Sequence, residues 1–300
     1  MFYPPVEKGG RRMALQMLIT SLAMGIVYGM VAMGMVLIWR AVGVINFAQG
    51  EFLMVGAFVS YTLAEQLGIP MSIALVACAV IMGIVGVIFH FITYWPLRKS
   101  WDITVIISTI GASIALKEAA TLIWGPAPLS IDPLVDGVAR FSTVSIEWQF
   151  IVTIGVSAVL MAGIFYLLER TYLGHILQAT AQDQYAAALI GIPVVVATGM
   201  TFAISALIAG VGGMLLAPVF FVTSTMGGIT GLKAFAAVVI GGFGSVQGAI
   251  IGGLIVGMVD TFSGAYVSST YRDAIVFMFL VVVLVIRPQG IFGEKIAEKV

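Results

Sequence analysis

The chain of 300 residues is 61% hydrophobic and only 9% charged, its 14 acidic and 14 basic side chains cancel, and its mean hydropathy is +1.12. An ordinary soluble domain is about 45–50% apolar and about 25% charged, so these values exclude a soluble enzyme, leave no polar block for an attached catalytic domain, and point to one transmembrane domain over residues 1–300. A net charge of zero gives a nucleic-acid partner nothing to hold, and the short charged clusters read as loop ends facing water.

Long charge-poor runs define the elements. A hydrocarbon core about 30 Å thick needs roughly 20 apolar residues of helix, and in lipid only helices or a closed barrel satisfy the backbone. The runs here are unalternating, so helices are expected. The first covers residues 13–39, too long for a signal-peptide core and followed by many others, hence a retained span. The second, 46–64, carries Glu51 within it. The third, 71–95, closes on Pro96 and the Arg98-Lys99 pair, and contains Cys78, whose solitary thiol is a small packing group rather than half of a disulfide. The fourth is 103–124, with Lys117 and Glu118 near its outer end.

A polar loop with Pro126, Pro128, Asp132, Pro133 and Asp136 leads to a fifth span at 148–168. The mixed stretch 169–193 holds an Ala-rich portion, 179–189, of high helix propensity, expected as a surface helix. A sixth span at 194–216 ends near Pro218. A short piece at 234–242, a Gly-rich span at 248–259 and a final span ending at Arg287-Pro288 complete the chain. The fold class is all-α, a polytopic helical membrane protein of about eight spans plus short or discontinuous half-helices. The positive-inside bias puts Arg98-Lys99 and the tail beyond Arg287 in the cytoplasm, the Asp132/Asp136 loop outside and 169–193 inside. The same parity places the amino terminus outside, against its Lys8, Arg11 and Arg12.

In lipid, glycine lets helix backbones approach closely. Gly25/Gly29, Gly248/Gly252 and Gly253/Gly257 are small-xxx-small pairs, read either as packing within the chain or as a subunit interface.

Ionisable groups inside a span are costly and normally face the bundle interior. Glu51 stands out, because Gly43-Val44-Ile45-Asn46-Phe47-Ala48-Gln49-Gly50-Glu51 places amides and a carboxyl between two glycines in an apolar stretch. That pattern suggests a discontinuous helix exposing Asn46, Gln49, Gly50 and Glu51 to a passing solute. The plainer reading makes Glu51 a cap for the new helix. His90 reads as an interfacial or satisfied histidine, and Asp260 with Arg272-Asp273 as a snorkelling group or an interhelical ion pair. No HExxH, GxSxG, Walker-type loop, CxxC or metal-spaced carboxylate cluster occurs, so neither a catalytic nor a metal site is expected.

Three segments together resemble the shorter permease type of branched-chain amino acid ABC importers. The Gly43 to Glu51 segment is similar to that family's G-x-x-N-F-A-H-G-E. Gly174, Ala181-Gln182-Asp183 and Ala187-Ala188-Leu189-Ile190-Gly191-Ile192 resemble its cytoplasmic loop. Leu232-Lys233-Ala234 through Ile240-Gly241-Gly242-Phe243-Gly244-Ser245, then Gly248-Ala249 and Gly252-Gly253, resemble its glycine-rich helix pair, and the Arg287 to Gly293 tail also fits. The resemblance implies a non-enzymatic, pathway-forming subunit in the bacterial inner membrane. Its implied partners are the lipid bilayer, a homologous second permease, two cytoplasmic ATPases that hold the ATP and magnesium, and a periplasmic or extracellular solute-binding protein.

The 169–193 loop would then couple to an ATPase cleft through Gly174, Ala181, Gln182, Asp183, Ala187, Ala188 and Gly191. Gly241, Gly242 and Gly244 join the helix-packing glycines. The chain departs from the family at Gln49, where His is usual, and at His175 and Gln178, where basic residues are usual. Gln49 cannot be protonated, which excludes a pH-linked role at that position. An ion-coupled secondary transporter that uses Glu51 as a carboxylate switch is the competing reading.

Overall fold

The computed structural model describes residues 7–135, 137–141 and 144–292, so Asp136 and the tail beyond Phe292 lie outside the described residues. Among the described residues eleven α-helices run in chain order: α1 Glu7–Val42, α2 Gln49–Tyr61, α3 Met71–Phe89, α4 Asp102–Trp124, α5 Trp148–Arg170, α6 Tyr172–Gln182, α7 Gln184–Leu189, α8 Val194–Leu216, α9 Met226–Gly241, α10 Val246–Tyr266 and α11 Arg272–Ile286. Helix α2 continues as a π-helical turn, Thr62–Gln66, and α3 as another, His90–Tyr94. Among the described residues the regular structure beside the helices is one antiparallel hairpin, β1 Val138–Phe141 with β2 Val144–Glu147, inside the polar loop, and an isolated bridge between Leu129 and Val222.

Six helical stretches among the described residues are long and apolar enough to cross a membrane: Ala14–Val42, Met71–Leu97, Asp102–Trp124, Trp148–Arg170, Val194–Leu216 and Val246–Tyr266. Helices α1, α2, α8, α9 and α10 form the interior, whereas α3, α4 and α5 turn isoleucine- and valine-rich faces outward, as at Ile84, Ile107 and Val159. Such faces, continuous and apolar, suit lipid or another membrane subunit.

Glycine sets the closest approaches. Helices α1 and α10 cross where Gly25 and Gly29 meet Gly253 and Gly257; a methyl group on Gly257 would fall 2.7 Å from Ser21 O, and one on Gly25 2.8 Å from Leu254 Cα. Gly248 and Gly252 perform the same service toward α9 at Gly241 and Ala237. All these pairs are used within the chain. At the turn between α9 and α10, Gly242 and Gly244 adopt φ of 107° and 88°, a region closed to most side chains.

Two expected elements need correction. The segment expected as one surface helix over 179–189 is broken: Asp183 is extended (φ −157°, ψ 107°), and its Oδ1 accepts the N–H groups of Tyr185 at 2.8 Å and Ala186 at 3.0 Å, ending α6 and starting α7. An N-capping aspartate outweighed the alanine propensity around it. The short piece expected at 234–242 starts at Met226 instead. Lys233, just before the expected start, lies inside α9 with its charge neutralised by partners from other helices.

Candidate functional site: the converging starts of two short helices

Helix α2 begins inside the bundle. Asn46 Oδ1 accepts the Ala48 N–H at 3.0 Å, an Asx-type turn that bends the chain out of α1 and into α2. Ala48 occupies the cap position without a side-chain hydrogen bond, and Glu51 does not cap its own helix. Instead Glu51 Oε1 accepts the Ser113 hydroxyl of α4 at 3.2 Å, while Oε2 is buried with no partner. That second oxygen faces Gly227 in the first turn of α9, where any side chain would collide with it. A methyl group on Gly50 would collide with Gly227 O and lie 2.8 Å from Gly231 Cα, so the two helix starts touch backbone to backbone.

Around them, Gln49 is fixed on α8: Ser205 Oγ donates to its Oε1 at 2.9 Å and its Nε2 donates to Ser205 O at 3.4 Å. On α4, Thr109, Ser113 and Lys117 are spaced one turn apart and so share a face. Thr109 accepts the Phe47 N–H at 3.3 Å and Ser113 holds Glu51. Asn46, Gln49 and Glu51 were expected to be exposed, yet all three are buried. The reason is local: close glycine packing brings α2 directly against α8 and α9 at this level.

A second polar cluster lies one to two turns further along α9. Asp260 of α10 is fully buried and accepts Tyr28 Oη at 2.7 Å, Lys233 Nζ at 2.8 Å, Arg272 Nε at 2.6 Å and Arg272 Nη2. Lys233 also reaches Asp273 at 2.7 Å. Four helices, α1, α9, α10 and α11, are tied at one carboxylate. Sequence reading identified Asp260 and Arg272-Asp273 but missed Lys233 and Tyr28; a lone lysine amid apolar residues was the available signal, since such a group requires a counter-charge.

The expected loop residues form a compact unit. Thr171 caps α6 at Gly174 N, 3.2 Å away, and a side chain on Gly174 would strike the carbonyls of Leu167 and Leu168 at the end of α5. Ala187 is buried, Ala188 exposed, and Gly191 turns the chain toward α8 with φ of 88°. Gln184 Nε2 donates to Ala41 O at 2.7 Å, anchoring α7 to the end of α1. Tyr172, Tyr185, Leu189 and Ile190 are left exposed. Ala181 and Gln182 line a cleft of 1110 Å³ at the same end of the bundle. Cys78 is buried, its thiol directed at Gly56 O, and His90 contacts Thr198 Oγ1 at 2.9 Å through Nε2 while its Nδ1 has no partner. Among the described residues no group of three or more His, Cys, Asp or Glu could hold a metal ion.

A multi-pass helical membrane protein with broken helices and buried polar groups at their starts has the design of a solute-conducting subunit. The chain belongs to the family described as branched-chain amino acid transport system / permease component, which it matches over residues 17–285. It is 34% identical to the high-affinity branched-chain amino acid transport system permease protein LivH of Escherichia coli strain K12, covering 95% of this chain and 97% of the relative. It is 33% identical to the corresponding protein BraD of Pseudomonas aeruginosa, over 95% and 98%. A solved structure, PsaBC from Streptococcus pneumoniae in complex with Fab, shares the fold with a TM-score of 0.50 at 17% identity, covering 92% of each chain.

Proposed function

We propose that this chain is the transmembrane permease subunit of an ATP-binding cassette importer, forming the translocation pathway for branched-chain or related amino acids handed over by a periplasmic or extracellular binding protein. The observation that carries this reading is the family match, which extends through almost the whole chain and includes relatives named for that transport system. In this reading the chain is one permease domain in the bacterial inner membrane, pairs with a homologous permease, and is driven by two ATPases that hold ATP and magnesium. Helices α2 with its π turn (49–66) and α11 join the six long spans as crossings, giving about eight, and α9 is the short element.

The orientation follows from basic residues. Arg40, Arg170 and Arg287 close α1, α5 and α11 at the end of the bundle that carries α6 and α7, with Arg98 and Lys99 following α3. That end is cytoplasmic by the positive-inside bias, so α6 and α7 present their exposed tyrosines and aliphatic side chains where an ATPase would receive them. Asn46, Gln49, Gly50 and Glu51, buried against α8 and α9, belong to the element whose rearrangement opens the pathway.

The decisive experiment is purification of the chain from native membranes, identification of the copurifying proteins, and reconstitution of the complex in liposomes. Recovery of a second permease and ATPases, with ATP hydrolysis rising when a loaded binding protein is added, is the expected result. A chain recovered alone that moves solute under an ion gradient, and stops when Glu51→Gln is introduced, would replace this reading with the ion-coupled one. Asp183→Ala, which removes the α7 cap at about 1 kcal/mol, should lower solute uptake per ATP hydrolysed while the protein still inserts; unchanged coupling would remove α6 and α7 from the ATPase interface.

A further inference from the structure

The 1110 Å³ cleft at the cytoplasmic end is open on one side and lined by the ends of α1, α5 and α9, by α6 and α8, by the start of α10 and by the segment after α11. That segment is fixed as a wall, since Ile291 N and Phe292 N donate to Ile240 O and Gly241 O at 2.9 Å. The floor is aromatic. Trp39 meets Phe243 edge to face, with ring centroids 5.7 Å apart, and the backbone at Gly244 passes so close to the indole that a methyl group there would lie 2.9 Å from it.

The rim is polar. Some of its groups are already engaged: Gln178 Nε2 donates to Leu168 O at 2.7 Å, and Ser245 Oγ accepts the Gly248 N–H at 2.9 Å. Arg40, Glu169, Gln182, Gln247 and Gln289 line the same cleft and make no side-chain hydrogen bond or ion pair among the described residues. In particular, Arg40 and Glu169 carry opposite charges into one cavity and do not meet.

A cavity with one cation, one anion and four amides, one of them already engaged, over an aromatic floor complements a ligand that carries both charges on an apolar body. We propose that this cleft binds such a zwitterion, its acidic group on Arg40, its ammonium on Glu169 and its apolar body against Trp39 and Phe243. Two sources share that chemistry: phosphatidylethanolamine of the inner leaflet, and a free α-amino acid with an apolar side chain on the cytoplasmic side. The volume of 1110 Å³ lies just above the range of small-molecule pockets, about 300–1,000 Å³.

The test uses the intact complex purified in a neutral maltoside detergent. Retention of phosphatidylethanolamine against phosphatidylglycerol is read by native mass spectrometry, and binding of L-leucine against isocaproate and isopentylamine by equilibrium dialysis. At least one zwitterion should bind about tenfold more tightly than its single-charge analogues, and Arg40→Gln and Glu169→Gln should each remove most of that preference, since each deletes one charge-assisted contact. The exchanged pair, Arg40→Glu with Glu169→Arg, should recover part of it. Preference for phosphatidylethanolamine alone assigns a lipid site, for L-leucine alone a solute site, and for both a shared one. Absence of binding by either zwitterion, equal binding of the analogues, or indifference to both single substitutions would overturn the proposal. Because binding is read without transport, its failure would leave the permease assignment untouched.

Discussion

Asp260 and Glu51 are both carboxyl side chains buried inside the helical bundle, and the protein treats them in opposite ways. Asp260 receives four hydrogen bonds from three side chains, two of them cationic. Glu51 receives one, from a serine hydroxyl, and its other oxygen faces a glycine. A buried charge with its lone pairs filled by cations and a hydroxyl is a fixed joint, because moving any one helix breaks several bonds at once. A buried carboxyl with an empty acceptor costs free energy where it stands, and that cost falls away if the helix starts separate and water or solute reaches it. The contrast assigns rigidity to the α1–α9–α10–α11 junction and mobility to the meeting of α2 with α9.

The largest effect belongs to the joint. Asp260→Ala leaves Lys233 with only the half-exposed Asp273 and Arg272 with none of its present contacts, and breaking a buried pair in this way costs about 3–5 kcal/mol. The expected result is loss of most folded protein, read as the monodisperse fraction extracted in mild detergent and as a lowered unfolding temperature. If Asp260→Ala inserts and melts normally, the junction is not the joint described here.

Gly227→Ala comes next. The added methyl collides with Glu51 Oε2 and lies 2.8 Å from Gly50 O, so the two helix starts must part or Glu51 must turn; overpacking of this kind costs about 1–3 kcal/mol. Uptake by the reconstituted complex should fall more steeply than thermal stability. Equal losses of both would make this contact ordinary packing.

Glu51→Gln sharpens the contrast further. The amide keeps the shape and can still accept from Ser113, so the stability change should stay within about 1 kcal/mol. Solute-stimulated ATP hydrolysis should nevertheless drop about tenfold, equivalent to about 1.4 kcal/mol on the limiting step. A variant with full activity would show that the unpartnered oxygen contributes nothing to the cycle.

Much of this contrast was legible in the sequence, though unevenly. Glu51 announced itself because a carboxyl between Gly50 and an apolar run breaks the pattern of a span, and the glycine pairs at Gly25/Gly29 and Gly253/Gly257 announced close packing. What they packed against was not readable, since tertiary pairing between α1 and α10 joins segments more than two hundred residues apart. Lys233 was missed for a related reason. In isolation a lysine ends a hydrophobic run, and only the arrival of Asp260 and Asp273 from other helices makes its burial tolerable. Asp183 shows the reverse failure: its capping oxygen is a local signal, overlooked because the alanines around it favoured one continuous helix. The charge gap between Arg40 and Glu169 exists only in three dimensions, where the ends of α1 and α5 line one cleft.

The smallest expected effects compare one donor at each carboxyl. Tyr28→Phe removes one of four bonds to Asp260 and leaves both cations in place, so its cost should be about 0.5–1.5 kcal/mol, the net worth of an ordinary hydrogen bond. Ser113→Ala removes the only bond to Glu51, and by the same ledger of bonds it should cost no more in stability. The two variants should part in function. With its one restraint gone, the Glu51 side chain is free to leave the Gly227 contact, which should raise basal ATP hydrolysis in the absence of loaded binding protein. Tyr28→Phe should leave basal hydrolysis where it was, because the Arg272 and Lys233 contacts still hold the junction. Measuring both variants for unfolding temperature and basal hydrolysis in the same reconstituted complex sets the comparison directly. A rise in basal hydrolysis with Tyr28→Phe and none with Ser113→Ala would place the mobile element at Asp260 and invert the assignment.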